Sequence, residues 1–162
     1  LSTCGVQTKI DTRYRNPSSI GNRILPGGTY HTLRSLNYVE FVSDRQRWYP
    51  NLNQEKKPRK VVPQDIRLTP LVVAHWFCGD GRGGDAKGTL GFCTNGFTQE
   101  EAQFLVERLQ MDLGVESLKQ TDIRGHPTIL IGKQDEANKL KTLILPFLPE
   151  CCQYKFRHVR SR

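Results

Sequence analysis

The sequence predicts an α+β fold in which antiparallel hairpins alternate with helices. Residues 7–15 alternate strictly between two faces, which is the pattern of a strand. Residues 69–78 open with Thr-Pro, a typical helix start, and continue as an apolar helix. Thr98 and Glu101 form a capping box in front of another helical stretch. In a chain of 162 residues, these patterns fit one medium domain or two small ones that share a core.

The composition is that of a folded, basic protein. Hydrophobic residues make up 36% and charged residues 25%, and 24 Lys and Arg stand against 16 Asp and Glu, for a net charge of +8. This balance makes nucleic acid the leading partner class. The excess lies in residues 1–66, which contain 11 basic and 5 acidic residues, and in a basic tail after residue 154. No apolar run approaches the roughly 20 residues of a membrane span, so we expect no membrane partner.

The cysteine pattern argues against a disulfide scaffold and against a zinc site. The five cysteines are odd in number, two of them are adjacent, and none forms a CxxC pair. We therefore expect reduced thiols in a reducing compartment. No local signature of a catalytic cysteine accompanies any of the five.

The first 60 residues predict one hairpin, one helix and a linker. Lys9, Arg13 and Arg15 occupy the polar face of the strand at 7–15, whose other face is expected to be half-buried. Asn16-Pro17-Ser18-Ser19 breaks this strand, and Thr29–Ser35 is predicted as its partner after a long loop. Asn37–Tyr49 has helical periodicity and ends at Pro50. Residues 51–60 form a basic polar linker.

The remainder predicts a longer series of elements. An apolar helix over Leu71–Cys78 is stopped by Gly79-Asp80-Gly81, and a strand follows over Gly88–Phe92. The capped helix after Thr98 ends at Gly114. A second hairpin, over 115–122 and 127–131, and a helix over Gln134–Phe147 complete the series.

An internal repeat of element order divides the chain. Hairpin, helix and Pro50 in the first part parallel hairpin, helix and Pro149 in the second part. The second copy is preceded by the apolar helix, a strand and the capped helix, whereas the first copy has nothing before it. We therefore expect a truncated repeat with its linker over 1–60 and a complete repeat over 61–162.

The chemically informative feature is Asp80, flanked by Gly79 and Gly81 at the end of the apolar helix. A carboxylate is unfavourable at a helix C-terminus and needs a cation nearby. A divalent metal beside a phosphodiester is one solution. The other interpretation is a simple Asp-Gly turn.

Residues 73–81 resemble the signature of the LAGLIDADG homing endonucleases and match it at Ala74, Asp80 and Gly81. A wider pattern supports the resemblance, with the following stretches: Leu68-Thr69-Pro70, Thr94-Asn95-Gly96-Phe97-Thr98, Glu100-Glu101, and Tyr154-Lys155 after Leu145-Pro146. The chain is similar to the second half of the two-motif branch over 61–158. Residues 5–50 look like the end of a first half.

The resemblance implies an αββαββα half-domain with a partial preceding repeat. Two such halves would pack through their signature helices, with Ala74 and Cys78 on the contact face. Their antiparallel sheets would form a saddle over nucleic acid, on which alternate strand residues read bases. The implied nucleic-acid contacts are Lys9, Arg13, Arg15, Arg34, Lys119, Thr121, Arg124 and Arg157.

The resemblance also implies the catalytic roles. Asp80 and the Gly79 carbonyl would bind Mg²⁺, and Lys155 would stabilise charge at the scissile phosphate or orient the attacking water. A plain basic-tail contact is the other interpretation of Lys155. The implied activity is Mg²⁺-dependent phosphodiester cleavage of a long DNA site.

One signature helix and one such acid leave three alternatives open. A second protein chain supplies the missing half, the chain self-associates, or the protein is a derived member that binds structured RNA without cleaving it. Such derived members act as maturases or as components of an organellar ribosome, and the resemblance suggests a mitochondrial or chloroplast location. A basic α+β domain outside this family remains a further interpretation.

Overall fold

The computed structural model describes residues 8–20, 23–35, 40–51, 58–83 and 88–159. The chain divides into two compact units, Leu1–Arg45 and Gln46–Arg162. Some predicted features lie outside the described residues, namely Gln7 at the first strand, the start of the helix at Asn37, and Lys56 and Lys57 of the linker. The division of the chain into repeats at residue 60 stays a prediction.

The described strands of the first unit form two antiparallel ribbons. Strand β1 (Thr8–Arg15) pairs with β4 (Gly28–Ser35), with Thr8 opposite Ser35 and Arg15 opposite Gly28. The predicted hairpin is therefore present. The long loop between its strands contains a second ribbon, because β2 (Ser18–Ile20) and β3 (Arg23–Leu25) pair within it.

Both faces of β1 are open to solvent. Lys9, Arg13 and Arg15 are exposed on the polar face, and Ile10 and Tyr14 on the other face are 65% and 66% exposed. The prediction that the apolar face is half-buried is therefore wrong. A two-stranded ribbon has no second layer of its own against which to bury a face.

Helix α1 (Glu40–Trp48) leads from the first unit into the second. The second unit then has the order αββαββα, as predicted. Its elements are α2 (Pro70–Asp80), β5 (Gly81–Arg82), β6 (Leu90–Cys93), α3 (Gln99–Leu113), β7 (Leu118–Thr121), β8 (Pro127–Ile131) and α4 (Gln134–Ile144). The four strands form one antiparallel sheet in the order β5-β6-β8-β7. This arrangement confirms the predicted fold class.

The element bounds differ from the predicted ones where local signals are weak. Helix α2 continues through Gly79 to Asp80, two residues beyond the predicted stop. Helix α4 ends at Ile144 and tightens into a 3₁₀ turn over Leu145–Phe147, because Pro146 lacks a backbone N–H donor. A short helix α5 (Glu150–Gln153) and a 3₁₀ turn (Tyr154–Phe156) replace the predicted tail. None of the helices within the described ranges is long and apolar enough to cross a membrane.

The core of the second unit lies between one face of the sheet and the helices. Phe92, Ile129 and Ile131 of the sheet are fully buried, as is Phe77 of α2. The Phe77 ring meets the edge of Phe92 at a centroid distance of 5.6 Å and stacks on Phe156 at 4.9 Å. Helix α2 is thereby fixed against both the sheet and the C-terminal 3₁₀ turn.

The start of α2 is anchored by its own cap and by α3. Thr69 accepts a hydrogen bond from the Val72 N–H at 3.3 Å, as an N-cap residue should. Asp112 of α3 accepts the Leu68 N–H at 2.8 Å and a guanidinium N–H of Arg108 at 2.6 Å. Burial raises the pKa of Asp112, but the hydrogen bonds from Leu68 and Arg108 outweigh it, so the pKa lies below its ordinary value.

We expect this anchor to make the free energy of unfolding depend on pH in acid. Because the folded-state pKa of Asp112 is below the unfolded value, the stabilisation is complete above about pH 5 and is lost as the pH falls through the folded pKa. Asp112→Asn should therefore reduce the decline in unfolding free energy between about pH 5 and 2, measured by urea denaturation. Replacement of the exposed Glu150 by Gln is the control. Equal pH slopes for the wild type and Asp112→Asn would contradict the assignment.

Candidate active site and nucleic-acid interface

Asp80 is the last residue of α2 and is exposed. The next residue, Gly81, closes the helix by donating its N–H to the Phe77 carbonyl. A Cβ on Gly81 would lie 2.3 Å from both the ring and the carbonyl oxygen of Phe77, whereas a Cβ on Gly79 would meet nothing within 4 Å. Gly81 therefore permits the close approach that places Asp80, and Gly79 lies on an open surface.

The open face of α2 is not the predicted one. Ala74 is fully buried in the core of the second unit, and Cys78 is half-buried next to Cys152. The expectation that Ala74 and Cys78 form the contact face is therefore wrong. The exposed positions of the helix are Leu71, Val72, His75, Gly79 and Asp80.

Asp80 lines a cavity of about 180 Å³ in the second unit. Its walls include the aromatic side chains of Trp48, Trp76 and Phe97, and it also contains Lys60. The Lys60 ammonium lies 4.6 Å from the ring centroid of Phe97 and 5.9 Å from that of Trp48. An ammonium over aromatic faces is attracted by their negative π-surface. The cavity thus brings a held cation and the candidate catalytic acid together.

The segment around Lys60 is fixed by Glu101, the capping-box residue of α3. Glu101 accepts hydrogen bonds from the Thr98 N–H at 2.7 Å, Arg59 at 2.6 Å and the Val62 N–H at 3.2 Å. Burial raises the pKa of Glu101, but these three donors outweigh it, and the pKa is lowered. The Val61 N–H donates to the Trp48 carbonyl at 2.8 Å.

Sequence reasoning missed Lys60 because it assigned the residue to a basic linker. The available signal was its position directly before the apolar anchor Val61-Val62-Pro63. A lysine next to an anchored segment has a defined place, whereas the same residue within a linker does not.

Lys155 is buried, with only 8% of its surface exposed. Its ammonium donates hydrogen bonds to the carbonyls of Phe77 at 2.9 Å and Cys78 at 2.8 Å, and lies 5.6 Å from the centroid of the Phe77 ring. The alternative of an exposed basic-tail contact is therefore wrong for Lys155. The predicted contact with the scissile phosphate stays a prediction.

Cys78 and Cys152 are joined in a disulfide. The expectation of reduced thiols is therefore wrong for this pair, because folding brings together two cysteines separated by 74 positions. Cys93 and Cys151 are free thiols. The disulfide connects α2 directly to α5.

The structure places two of the expected strand contacts on the helix-covered side of the sheet. Lys119 of β7 pairs with the buried Ile129, and antiparallel partners point to the same face. Thr121 donates a hydrogen bond to Gln99 at the start of α3. The exposed residues on the opposite face of β7 are Leu118 and Gln120. Lys119 is half-buried and Thr121 is exposed at the end of the strand, and the contact of these residues with nucleic acid stays a prediction.

The other expected contacts are distributed over both units. In the first unit, Lys9, Arg13 and Arg15 share the polar face of β1, and Arg34 is the register partner of Lys9. In the second unit, Arg124 is exposed in the β7–β8 turn, where its N–H donates to Asp122 at 2.8 Å, and Arg157 is exposed after the last 3₁₀ turn.

The ligands available at Asp80 fit a metal ion that is bound partly by the protein and partly by waters and substrate phosphates. Among the described residues, no three His, Cys, Asp or Glu side chains form a metal-binding group. Mg²⁺, however, is commonly held by one or two carboxylates together with waters and substrate phosphates. Asp80 is an exposed carboxylate, and carbonyls of a last helical turn, such as that of Gly79, lack intrahelical partners.

The second unit has the order αββαββα and an exposed acid, Asp80, at the end of its first helix. The model of the LAGLIDADG DNA endonuclease family matches residues 5–139. Because this match covers most of the chain, the protein belongs to the LAGLIDADG DNA endonuclease family.

Two individual proteins are similar to this chain. An uncharacterized protein of Methanocaldococcus jannaschii, MJ1098, is 26% identical over 129 residues, which are 78% of this chain and 48% of that protein. The homing endonuclease I-WcaI, solved bound to its DNA recognition sequence, has a TM-score of 0.69 at 19% identity, over 93% of this chain and 65% of that one. This likeness confirms the fold. The chain spans about half the length of the curated relative that it matches.

The two glycines around Asp80 should respond oppositely to the same substitution. Gly81→Ala should lower the free energy of unfolding by about 1–3 kcal/mol, because its methyl group overlaps Phe77. Gly79→Ala, in a helical position with open space, should be neutral or stabilise by up to about 1 kcal/mol. Urea denaturation of both variants measures the difference. Equal effects would show that the approach of Gly81 to Phe77 is not required.

Proposed function

We propose that this chain is the acid-bearing half of a LAGLIDADG endonuclease that cuts a long duplex DNA site when a second signature helix is supplied. The observation that carries the proposal is the placement of Asp80, exposed at the end of α2 in the cavity that also holds Lys60. Family membership supports the reaction class.

The proposed chemistry assigns separate roles to the residues around α2. Asp80 and the Gly79 carbonyl would hold Mg²⁺, which in such sites polarises a phosphate and lowers the pKa of bound water. Lys60 offers a positive charge to a phosphate oxygen at the same cavity, and the rings of Trp48 and Phe97 restrict where that charge can lie. Restriction matters because a preorganised charge needs no reorientation during the reaction.

The open face of α2 supports the requirement for a second helix. Leu71 is 49% exposed on this face, and Gly79 presents no side chain that would keep another backbone away. We propose that the second helix comes from another protein chain or from a further segment of the same protein. Self-association of two copies is the alternative source.

The exposed basic face of β1 supports nucleic acid as the ligand. Lys9, Asp11, Arg13 and Arg15 occupy alternate positions on one side of an eight-residue strand, so three of the four are basic, and the Lys9 ammonium lies 3.7 Å from the Asp11 carboxylate. Side chains at alternate positions point to the same side, which suits the phosphates and base edges of a groove. I-WcaI, the structural neighbour, is described as bound to its DNA recognition sequence.

Asp80→Asn should abolish cleavage without affecting DNA affinity. Removal of the carboxylate should slow single-turnover cleavage by about a thousand-fold, as expected for the loss of several kcal/mol of metal-dependent stabilisation. The assay uses a library of long duplex sites, the full chain with its second half, and Mg²⁺, with EDTA as the metal-free arm. Asp135→Asn, in the first turn of α4, is the control. Cleavage by Asp80→Asn at the wild-type rate would rule out the proposed site.

The salt dependence of DNA binding should identify the phosphate contacts. Each of Lys9→Gln, Arg13→Gln and Arg15→Gln should reduce the slope of log K against log[salt] by about one. Lys119→Gln is a matched control, because this lysine lies on the helix-covered side of the sheet. Fluorescence anisotropy between about 50 and 200 mM salt measures the slopes. A reduced slope for Lys119→Gln alone would contradict the proposed interface.

The alternative function is that of a non-cleaving, RNA-binding member of the family, which the net charge of +8 also fits. The alternative predicts salt-sensitive binding to structured RNA, unchanged by Asp80→Asn, and no cleavage of duplex DNA with the second half present. The organellar location and the roles as maturase or ribosomal component stay predictions.

A further inference from the structure

We propose that the thiol of Cys151 is a relay through which dithiol reductants open the Cys78–Cys152 disulfide, so that the bond between the last turn of α2 and α5 is a reversible redox switch. The chemistry of the three sulfur atoms can be measured without cleavage. Only the effect of the switch on Asp80 rests on the proposed function.

The disulfide joins the last turn of α2 to the C-terminal segment. Cys78 lies two residues before Asp80, and Cys152 lies in α5, 74 positions further along the chain. A crosslink that closes so long a loop stabilises a fold mainly by restricting the unfolded chain. Cys152 is only 8% exposed and Cys78 is half-buried against the core. An external thiol therefore has restricted access to either sulfur atom.

A third sulfur atom lies beside the disulfide and is open to solvent. The Sγ of Cys151 is 4.0 Å from the Sγ of Cys152, and Cys151 is an exposed free thiol. Disulfides exchange when a thiolate attacks one of their sulfur atoms. A thiol already held next to its target makes this attack an intramolecular step, which favours it strongly over attack from solution. Cys93, another exposed free thiol, lies at the end of β6 and offers a comparison.

The exchange begins when the Cys151 thiol loses its proton to water. The thiolate attacks the Sγ of Cys152, so a bond forms between these two sulfur atoms and the bond from Cys152 to Cys78 breaks. Cys78 leaves as a thiolate and takes up a proton, and no electrons are gained or lost overall. A dithiol then reduces the new bond, becomes a disulfide itself, and leaves thiols on all three cysteines.

The intermediate bond is easier to reduce than the original one, because it joins neighbouring residues. Consecutive Cα atoms are about 3.8 Å apart, which is less than the usual separation of about 4.4–6.8 Å across a disulfide. The Cα atoms of Cys78 and Cys152, by contrast, are 5.7 Å apart. The original bond is therefore favoured without a reductant, and the intermediate is the form that a reductant attacks. Helix α5 has only four residues, so few backbone hydrogen bonds oppose the exchange.

The rate of reduction tests the relay. The oxidised full-length chain is treated with excess dithiothreitol, and the released thiols are trapped with a maleimide and located by peptide mass spectrometry. Cys151→Ser should slow the release of Cys78 and Cys152 at least about ten-fold, because the internal attacking sulfur is gone. Cys93→Ser is the matched control and should leave the rate unchanged. At equilibrium in a dithiothreitol redox buffer, Cys151→Ser should differ from the wild type by less than about two-fold.

Amide hydrogen exchange tests the effect of the switch on α2. After reduction, the Gly81 N–H, which closes the last turn, should exchange at least about ten-fold faster, a larger change than at Leu109 in α3. The Tm should fall by about 5–15 °C. Cys78→Ser should resemble the reduced wild type and should not respond to dithiothreitol. Single-turnover cleavage should fall about ten-fold on reduction and recover on reoxidation, because a loosened turn no longer fixes Asp80.

Three results would overturn the proposal. The first is equal rates of thiol release from the wild type and Cys151→Ser. The second is a protein in which Cys78 and Cys152 stay free for alkylation after treatment with oxidised dithiothreitol. The third is unchanged exchange at Gly81 on reduction. If Cys78→Ser does not fold, the two redox states of the wild type supply the comparison. If neither state cuts any site, the proposed function fails, and thiol release and exchange still decide the proposal.

Discussion

The position of Phe77 is the constraint on which the rest of the second unit depends. Its ring is fully buried between Phe92 of the sheet and Phe156 of the C-terminal turn. Removing such a ring from a core costs about 3–5 kcal/mol, a large share of the stability of a small domain. The carbonyl of the same residue accepts the N–H of Gly81 and the ammonium of Lys155. Packing and polar contacts therefore converge on one residue, three positions before the acid.

The end of α2 concentrates negative charge, part of which a buried lysine offsets. The carbonyl dipoles and the Asp80 carboxylate place negative charge at the same point, which is unfavourable without a counter-charge. Lys155 neutralises the carbonyls from inside the core, and Lys60 faces the cavity at Asp80. A buried lysine is tolerated here because its ammonium is hydrogen-bonded. Asp80 itself remains exposed.

Local sequence signals predicted the elements well, and the long-range contacts poorly. The capping box of Thr98 and Glu101, the left-handed Gly114 with φ of 65°, and the exact bounds of β8 follow from residues close in sequence. Lys155 caps Cys78 and Phe77, which lie 77 and 78 positions before it in the chain. No periodicity in Cys-Cys-Gln-Tyr-Lys-Phe indicates this contact. A shift of one residue in strand register would move Lys119 to the other face of the sheet. The alternation of polar and apolar residues in a four-residue strand is too short to determine that register. The sequence therefore predicted Asp80 as the candidate acid but not the side chains that surround it.

The distance along the chain between α2 and its support has a consequence for synthesis. The ribosome completes Asp80 some 75 residues before it adds Lys155, at a rate of about 5–20 residues per second. During those seconds the apolar helix is without Cys152, Lys155 and Phe156, so its final turn is unsupported. A product of premature termination after α4 contains the acid and the strands but not the cap. The last turn of α2 thus gains its polar and apolar support only after synthesis has passed Lys155 and Phe156.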